Sequence, residues 1–222
     1  MKKLVGLVLV LISSIILGAC GSNDSNSGTS KKAPTASSTT VSLETSNSAE
    51  KKTKLLANDS DFRKIADNVP DGKDIKIQGK QDYSIDFTDN SWSGVNLNID
   101  RVSVVKTTDI KDYSDNQYNG FVAVHFNVDN TQQDVSMYPN QATVVTDYGE
   151  QVDDGGVFNY DSWDGEFMKG TKKEGWGIYP LSKLSDASSI KSLRLKIDSN
   201  YETDNYADDN AYHTYDINLN LQ

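Results

Sequence analysis

The alternation of apolar and polar residues beyond residue 80 restricts the fold more than any other feature of the sequence. Every second residue from Val122 to Val128 is bulky and apolar, and the same holds from Tyr215 to Leu221. A period of two places such side chains on one face of a β-strand, whereas an amphipathic helix needs a period of about 3.6. The pattern therefore predicts an all-β domain.

Short segments of this kind recur with turns between them. No strong helical period separates them, so the crossover helices that a parallel sheet requires are missing. Roughly seven to nine short strands predict a sandwich of two antiparallel sheets or a barrel. The alternation slips by one residue between Ile99 and Val102, which predicts a β-bulge near Asp100 and Arg101. The strands are expected at 83–87, 95–104, 121–128, 135–138, 142–147, 151–152, 176–181, 193–197 and 215–221.

The chain begins with the pattern of an export signal. Lys2 and Lys3 form a short basic start, and Leu4 to Leu17 form a mostly apolar run. At about fourteen residues, this run has the length of a signal-peptide core. It stops short of the roughly 20 apolar residues that a membrane-spanning helix needs. Residues 1–19 are therefore predicted to be a cleaved signal peptide.

The residues Leu17-Gly18-Ala19-Cys20 resemble the lipobox of bacterial lipoproteins, in which an aliphatic residue and two small residues precede the cysteine. The resemblance implies that a diacylglyceryl group forms a thioether on Cys20 and that cleavage occurs just before it. Two acyl chains anchor a protein firmly, because each buried methylene contributes about 0.8 kcal/mol. We therefore expect a lipid anchor in the cell membrane, with the protein on the extracellular side.

The cysteine count and the charge exclude several classes of site and partner. Cys20 is the only cysteine, so once it is lipidated the chain can form no disulfide, thiolate zinc site or iron–sulfur cluster. Removal of Lys2 and Lys3 with the signal leaves 20 Lys and Arg against 32 Asp and Glu, a formal charge of −12. An acidic chain of this kind is not expected to bind nucleic acid.

Residues 20–57 contain the lipidated cysteine and a stretch of Ser, Thr, Asn, Lys and Ala with almost no large apolar residue. Such a segment cannot bury enough surface to offset its chain entropy, so it is predicted to be a disordered tether. As a flexible coil it would span roughly 33 Å. Long tethers of this kind resemble those of Gram-positive lipoproteins.

Residues 58–80 are predicted to form a short helix and a lead-in to the domain. Asp59, Ser60 or Asp61 can cap the helix, and Pro70-Asp71-Gly72 ends it in a turn. One face of this helix carries the apolar side chains Phe62, Ile65, Ala66 and Val69. The β-sandwich is then predicted to occupy residues 81–222.

The order of features from Val95 to Ile197 resembles the immunoglobulin-like domains of uncharacterised Gram-positive surface lipoproteins, which are similar in fold to a small secreted mycobacterial immunoprotective antigen. The resemblance implies an immunoglobulin-like β-sandwich, without catalytic residues that could be transferred to this chain. The Cys and Trp landmarks of antibody domains are absent. The similarity rests on Phe121–Asn130 followed by Thr131, on the Asp147-Tyr148-Gly149 turn, and on Gly170–Gly177 leading into Tyr179-Pro180-Leu181.

Enzyme signatures are poor. The sequence has no Gly-x-Ser-x-Gly, no His-Glu-x-x-His and no phosphate-binding glycine loop. His213 shares its parity with Tyr215, which predicts a histidine at the edge of the core. His125 lies on the face opposite Val124 and Phe126 and is predicted to be solvated. We therefore expect a non-enzymatic protein that needs no cofactor.

Calcium is an alternative ligand for the C-terminal segment. The stretch from Asp198 to Gln222 has six acidic residues and no Lys or Arg. Hard cations need several oxygen ligands that converge from such a loop. The glycine of an EF-hand loop is missing, however, and acidic loops are also found simply solvated. The alternating oxygen donors are Asp198, Asn200, Glu202 and Asp204.

Residues 159–167 interleave aromatic rings with carboxylates in a predicted loop. Tyr160 and Trp163 could present flat apolar faces to a sugar, while the carboxylates accept hydrogen bonds from its hydroxyl groups. In the alternative, the rings fold back and cover one open end of the sandwich. We therefore expect an anchored extracellular module that binds an envelope glycan or a surface protein, with a structural spacer or accessory subunit as the second hypothesis.

Overall fold

The computed structural model describes residues 54–92 and 94–222, and this part of the chain consists mostly of antiparallel β-structure. The predicted signal peptide, Cys20 and most of the predicted tether lie outside the described residues. The strands are β1 Lys54–Leu55, β2 Lys76–Asp89, β3 Val95–Lys111, β4 Gln117–Asn130, β5 Val135–Met137, β6 Thr143–Thr146, β7 Gln151–Val152, β8 Gly165–Phe167, β9 Lys172–Leu181, β10 Ser192–Asn200 and β11 Tyr212–Asn220.

Helical structure is brief. One α-helix, α1, spans Arg63–Asp67. Turns of 3-10 helix span Leu56–Asn58, Gly72–Asp74, Pro139–Gln141 and Gly156–Phe158. None of the helices in residues 54–92 and 94–222 combines the length and the hydropathy needed to cross a membrane.

The strands form two sheets, which confirms the prediction of an all-β fold with antiparallel sheets. The first sheet has the order β1-β2-β3-β4-β9, and the second has the order β7-β6-β10-β5-β8, with β11 on the other side of β10. All strand pairs are antiparallel. The more specific immunoglobulin-like topology stays a prediction.

The register of β3 and β4 confirms the predicted β-bulge. Ile99 pairs with Phe126, but Arg101 pairs with the next residue, His125, so Asp100 is the extra residue. The bulge lets Leu97, Ile99 and Val102 all face the core in spite of the slip in their alternation. β4 pairs with β3 on one side and β9 on the other, as expected for a central strand.

The main hydrophobic core lies between the inner faces of the two sheets. Its largest fully buried side chains include Leu97, Phe126, Phe167, Tyr179 and Tyr215. Burial of each large apolar side chain contributes about 1.5 to 3 kcal/mol. This core holds the two sheets together without any disulfide.

A second apolar cluster covers part of the outer face of the first sheet. Phe62 of the lead-in packs edge-on against Phe121 and Trp176, with ring centroids 5.1 and 5.3 Å apart. Ile65, Ala66 and Val69 are buried in the same cluster, which confirms the predicted apolar face of the helix. The lead-in is therefore a third layer on the sheet rather than a connecting segment.

Two predicted boundaries fall inside folded structure. Leu56, placed in the tether by its polar surroundings, is fully buried, and β1 precedes it. The boundary at residue 80 lies within β2. The first residues of this strand, Lys76–Gln81, lack regular apolar alternation but are part of a strand because they pair with β1 and β3. The folded domain therefore includes residues from Lys54 onwards.

Candidate functional site

An open groove of about 920 Å³ lies beside the second sheet, between the loop 201–211 and the end of β5. A second cavity of about 310 Å³, which we call the annex, shares Ser136, Asn200 and Tyr212 with it. Together they form what we call the tyrosine groove, defined by Ser136, Tyr138, Asn200, Tyr206 and Tyr212. At about 920 Å³, its main part exceeds the cavity of about 520 Å³ beside Asn127 and Lys173.

Strand pairing brings the floor of the groove together. Asn200 at the end of β10 pairs with Ser136 of β5 on one side and with Tyr212 of β11 on the other. Residues paired across antiparallel strands share one face of the sheet, so these three side chains lie side by side on the outer face. Met137 next to Ser136 and Ser199 next to Asn200 pair with each other and are buried on the opposite face.

The loop 201–211 forms the wall of the groove and is held at both ends. The Tyr201 amide donates to the carbonyl of Ala211 at 3.0 Å. The Tyr201 ring stacks on Trp92 with centroids 5.9 Å apart, and Trp92 Nε1 donates to the carbonyl of Asn210 at 2.8 Å. Tyr201 also donates its hydroxyl proton to Asp208, and burial together with this carboxylate raises the pKa of Tyr201. The loop 201–211 is therefore held in place by contacts within the domain.

Three tyrosine rings are exposed around the groove. Tyr206 at the loop tip is fully exposed, Tyr212 is 78% exposed and Tyr138 is 38% exposed. Single exposed apolar residues are ordinary on protein surfaces, but several around one concave site are not. Tyrosine is enriched where proteins bind partners, because a rigid ring supplies contact area at a low cost in conformational entropy.

The groove is acidic. Asp198, Glu202, Asp204 and Asp208 line it or its annex, and Lys196 is the basic residue among the lining side chains. Glu166 of β8 lies alongside, where it accepts hydrogen bonds from Ser136 at 2.7 Å and Tyr138 at 3.3 Å. Burial and the Glu166 carboxylate raise the pKa of Tyr138. The tyrosine rings of the groove are therefore surrounded mainly by negatively charged side chains.

The acidic residues do not converge on one point. No group of three or more His, Cys, Asp or Glu side chains that could hold a metal ion occurs in the described ranges. Asp198 accepts a hydrogen bond from Thr214 at 2.6 Å on the outer face of the sheet, while Glu202 and Asp204 lie in the loop. The carboxylates that suggested calcium from the sequence thus line an open groove instead of a closed coordination site.

The structure corrects the choice of Trp163 as a ligand-binding residue. Its indole is only 8% exposed and stacks on Phe126, with centroids 5.8 Å apart. Trp163 Nε1 donates to the carbonyl of Trp176 at 3.1 Å. The ring therefore belongs to the main core, in agreement with the alternative in which the rings of this loop fold back onto the sandwich.

Tyr160 is half-buried and joins the same loop to the lead-in. Its hydroxyl donates to the carbonyl of Asn68 at 3.2 Å, and its ring packs on the second apolar cluster. Lys64 and Asp161 form an ion pair beside it. A ligand-binding role for Tyr160 stays a prediction.

Both histidines are held by neighbours. His213 stacks on Trp92 at 5.8 Å and packs edge-on against Tyr215 at 4.4 Å, so it lies at the edge of the core as predicted. Burial lowers the pKa of His213. His125 is not simply solvated, because its Nδ1 lies 2.8 Å from an Asp100 oxygen and its side chain is 13% exposed. The solvated prediction fails because Trp176 packs over the ring.

Sequence reasoning missed Tyr138, Tyr206 and Tyr212, although a signal for two of them was present. Residues 201–212 interleave tyrosines with carboxylates in the same way as residues 159–167. In the sequence alone, the acidic residues of this segment suggest calcium ligands. What separates the two segments is burial, and burial depends on the packing of the sheets.

Comparisons with known proteins leave the function open. No protein-family model and no curated protein matches the sequence. The solved structures that are similar include a functionally unknown protein from Listeria monocytogenes EGD-e, with 10% identity, a TM-score of 0.44, and coverage of 71% of this chain and 92% of that one. A conserved hypothetical protein from Bacillus anthracis has 12% identity and a TM-score of 0.34, with coverage of 54% and 92%.

Proposed function

We propose that the chain is an extracellular lipoprotein, anchored through Cys20, whose β-domain is a non-catalytic binding module of the cell envelope. The observation that carries this proposal is the tyrosine groove, since a ring-lined concave surface on a fixed wall is what a binding module needs. A spacer without a ligand would gain nothing from exposing Tyr206 and Tyr212 together. The predicted signal peptide and the lipobox support export and anchoring in the membrane.

Substitution of Cys20 tests the anchor. Cys20→Ala should abolish incorporation of labelled fatty acid and move the protein out of the membrane fraction, because Cys20 is the only residue that can accept the thioether. A single acyl chain already gives only marginal binding, so complete loss of acylation should release the chain fully. Unchanged labelling of the Ala variant would refute the anchor. Cys20→Ser, which also lacks the thiol, should behave in the same way.

Retention on isolated envelopes tests the binding role. The mature chain from residue 20 carrying Cys20→Ala should be retained, and the further substitutions Tyr206→Ala and Tyr212→Ala should reduce retention by about tenfold or more, as loss of interface aromatics does. Tyr113→Ala is the matched control, because Tyr113 is 80% exposed on the β3–β4 hairpin, outside the groove. If the chain with an intact groove is not retained, the spacer hypothesis replaces this one.

A further inference from the structure

We propose that the tyrosine groove binds a basic segment of polypeptide, rich in Lys or Arg and in an extended conformation. This proposal rests on the proposed function and names the class of partner that the same site would take. The groove is a cavity with exposed tyrosine rings, and the charge of its walls determines which class of partner fits it.

The charge of the groove favours a cationic partner. Glu202 and Asp204 lie exposed on the loop wall, and Asp198 lies on the floor of the annex. Lys196 is the basic residue in the lining. An anionic polymer would be repelled from this site. A neutral glycan would remove water from these carboxylates without supplying opposite charge, which costs free energy. A cationic segment offsets that cost and is attracted over long range.

The exposed tyrosine rings of the groove also favour a cationic partner. Tyrosine faces attract Lys and Arg side chains through the ring quadrupole, by about 0.5 to 1 kcal/mol at exposed sites. The domain already uses such contacts elsewhere, with Arg101 over Trp176 and Lys173 over Phe167, each 4.6 Å from the ring centroid. The rings of Tyr206 and Tyr212 remain available for cations from a partner, since both are largely exposed.

The size and rigidity of the groove favour a segment of polypeptide. A volume of about 920 Å³ lies at the upper end of the range for small-molecule sites, about 300 to 1,000 Å³, and the annex extends it. The groove therefore accommodates several consecutive residues better than a single metabolite. The wall is fixed by Trp92 and by the closure of Tyr201 on Ala211, so little conformational entropy is lost on binding.

Binding of defined peptides tests the proposal. The probe is fluorescent deca-lysine, with deca-glutamate as the opposite-charge comparison, and the protein is the mature chain from residue 20 carrying Cys20→Ala. Glu202→Gln together with Asp204→Asn should weaken deca-lysine binding about fivefold, from two exposed charge pairs. Tyr212→Ala should weaken it about three- to fivefold, and Tyr113→Ala should leave it unchanged. Deca-glutamate should not bind.

A matched double variant separates the groove from the net charge. Asp67→Asn together with Glu174→Gln removes the same two charges from exposed positions outside the groove, and it should retain full affinity for deca-lysine. Equal weakening by the two double variants would overturn the proposal, because any acidic surface would then bind the probe.

A purified neutral envelope glycan serves as the second ligand in the same assay. If Tyr212→Ala abolishes binding of the glycan while deca-lysine does not bind, the basic-segment proposal is wrong but the binding module stands. If no probe binds and isolated envelopes do not retain the chain, the proposed function itself fails.

Discussion

Replacement of Trp163 by alanine should lower the free energy of unfolding by about 3 to 5 kcal/mol, the range for removal of a large buried aromatic side chain. The indole is 8% exposed, stacks on Phe126 and donates from Nε1 to the carbonyl of Trp176. Alanine would leave a void in the main core and would remove the hydrogen bond to the Trp176 carbonyl. Urea unfolding, followed by circular dichroism, measures the change.

Gly175 gives this prediction an internal control. A Cβ at residue 175 would overlap the Cγ, Cδ1 and Cδ2 atoms of Trp163, so Gly175→Ala alone should cost about 1 to 3 kcal/mol by overpacking. In the Trp163→Ala background the ring is gone, and Gly175→Ala should then cost much less. The two substitutions should therefore be strongly non-additive.

A recognition role for Trp163 predicts the opposite result. An exposed indole would cost less than about 0.5 kcal/mol when removed, as surface substitutions do, and Gly175→Ala would cost the same in both backgrounds. Additive effects with a small loss for Trp163→Ala would show that the ring does not occupy the core.

Asp59→Asn should destabilise the lead-in by about 2 to 4 kcal/mol, because it breaks a buried charged network. The Asp59 side chain is fully buried, 2.6 Å from Lys54 Nζ and 3.4 Å from Lys80 Nζ. Its Oδ1 atom also accepts the amides of Asp61 and Phe62 at 3.0 and 3.3 Å, which fixes the turn before α1. Hydrogen exchange at these two amides and urea unfolding measure the loss.

The pH dependence of this effect has a definite sign. Burial opposes ionisation of Asp59, but the hydrogen bond from Lys54, the amide of Asp61 and the charge of Lys80 outweigh it, so the pKa of Asp59 is lowered. A lowered pKa means that the stabilisation is present at neutral pH and is lost as pH falls through the folded-state pKa. The difference in stability between the wild-type chain and Asp59→Asn should therefore shrink below about pH 4.

Asp61→Asn is the matched control for this prediction. Asp61 lies 3.6 Å from the same Lys80 Nζ, but its side chain is partly exposed. An exposed ion pair contributes about 0 to 1 kcal/mol, so this variant should remain close to the wild-type chain. Equal losses from Asp59→Asn and Asp61→Asn would contradict a buried role for Asp59.

Much of the fold could be predicted because its signals are local. Alternation in Val122–Val128 and Tyr215–Leu221 depends only on neighbouring residues, and both segments are strands. The slip near Asp100 predicted the β-bulge for the same reason. The spacing of Phe62 and Ile65 likewise predicted which side of the short helix is buried.

The missed elements depend on partners far along the chain. β1 is a two-residue edge strand, and the first residues of β2 lack regular apolar alternation. Both are strands because they pair with each other and because β2 pairs with β3. β8, Gly165–Phe167, was predicted to be loop, and it is a strand because it pairs with β5, about thirty residues earlier. The sequence around Leu56 resembles the tether, but the side chain of Leu56 is buried against the outer face of the first sheet.

The candidate site illustrates the same division between sequence and tertiary structure. By itself, the sequence determined that two acidic segments interleave aromatic rings with carboxylates, at 159–167 and 201–212. Only the tertiary structure decided that Trp163 is buried, because Gly175 leaves room for its ring and Phe126 lies beneath it. Tyr206 and Tyr212 remain exposed because they border the outer face of the second sheet. Burial depends on what lies across a sheet, and that is fixed by strand pairing between distant segments.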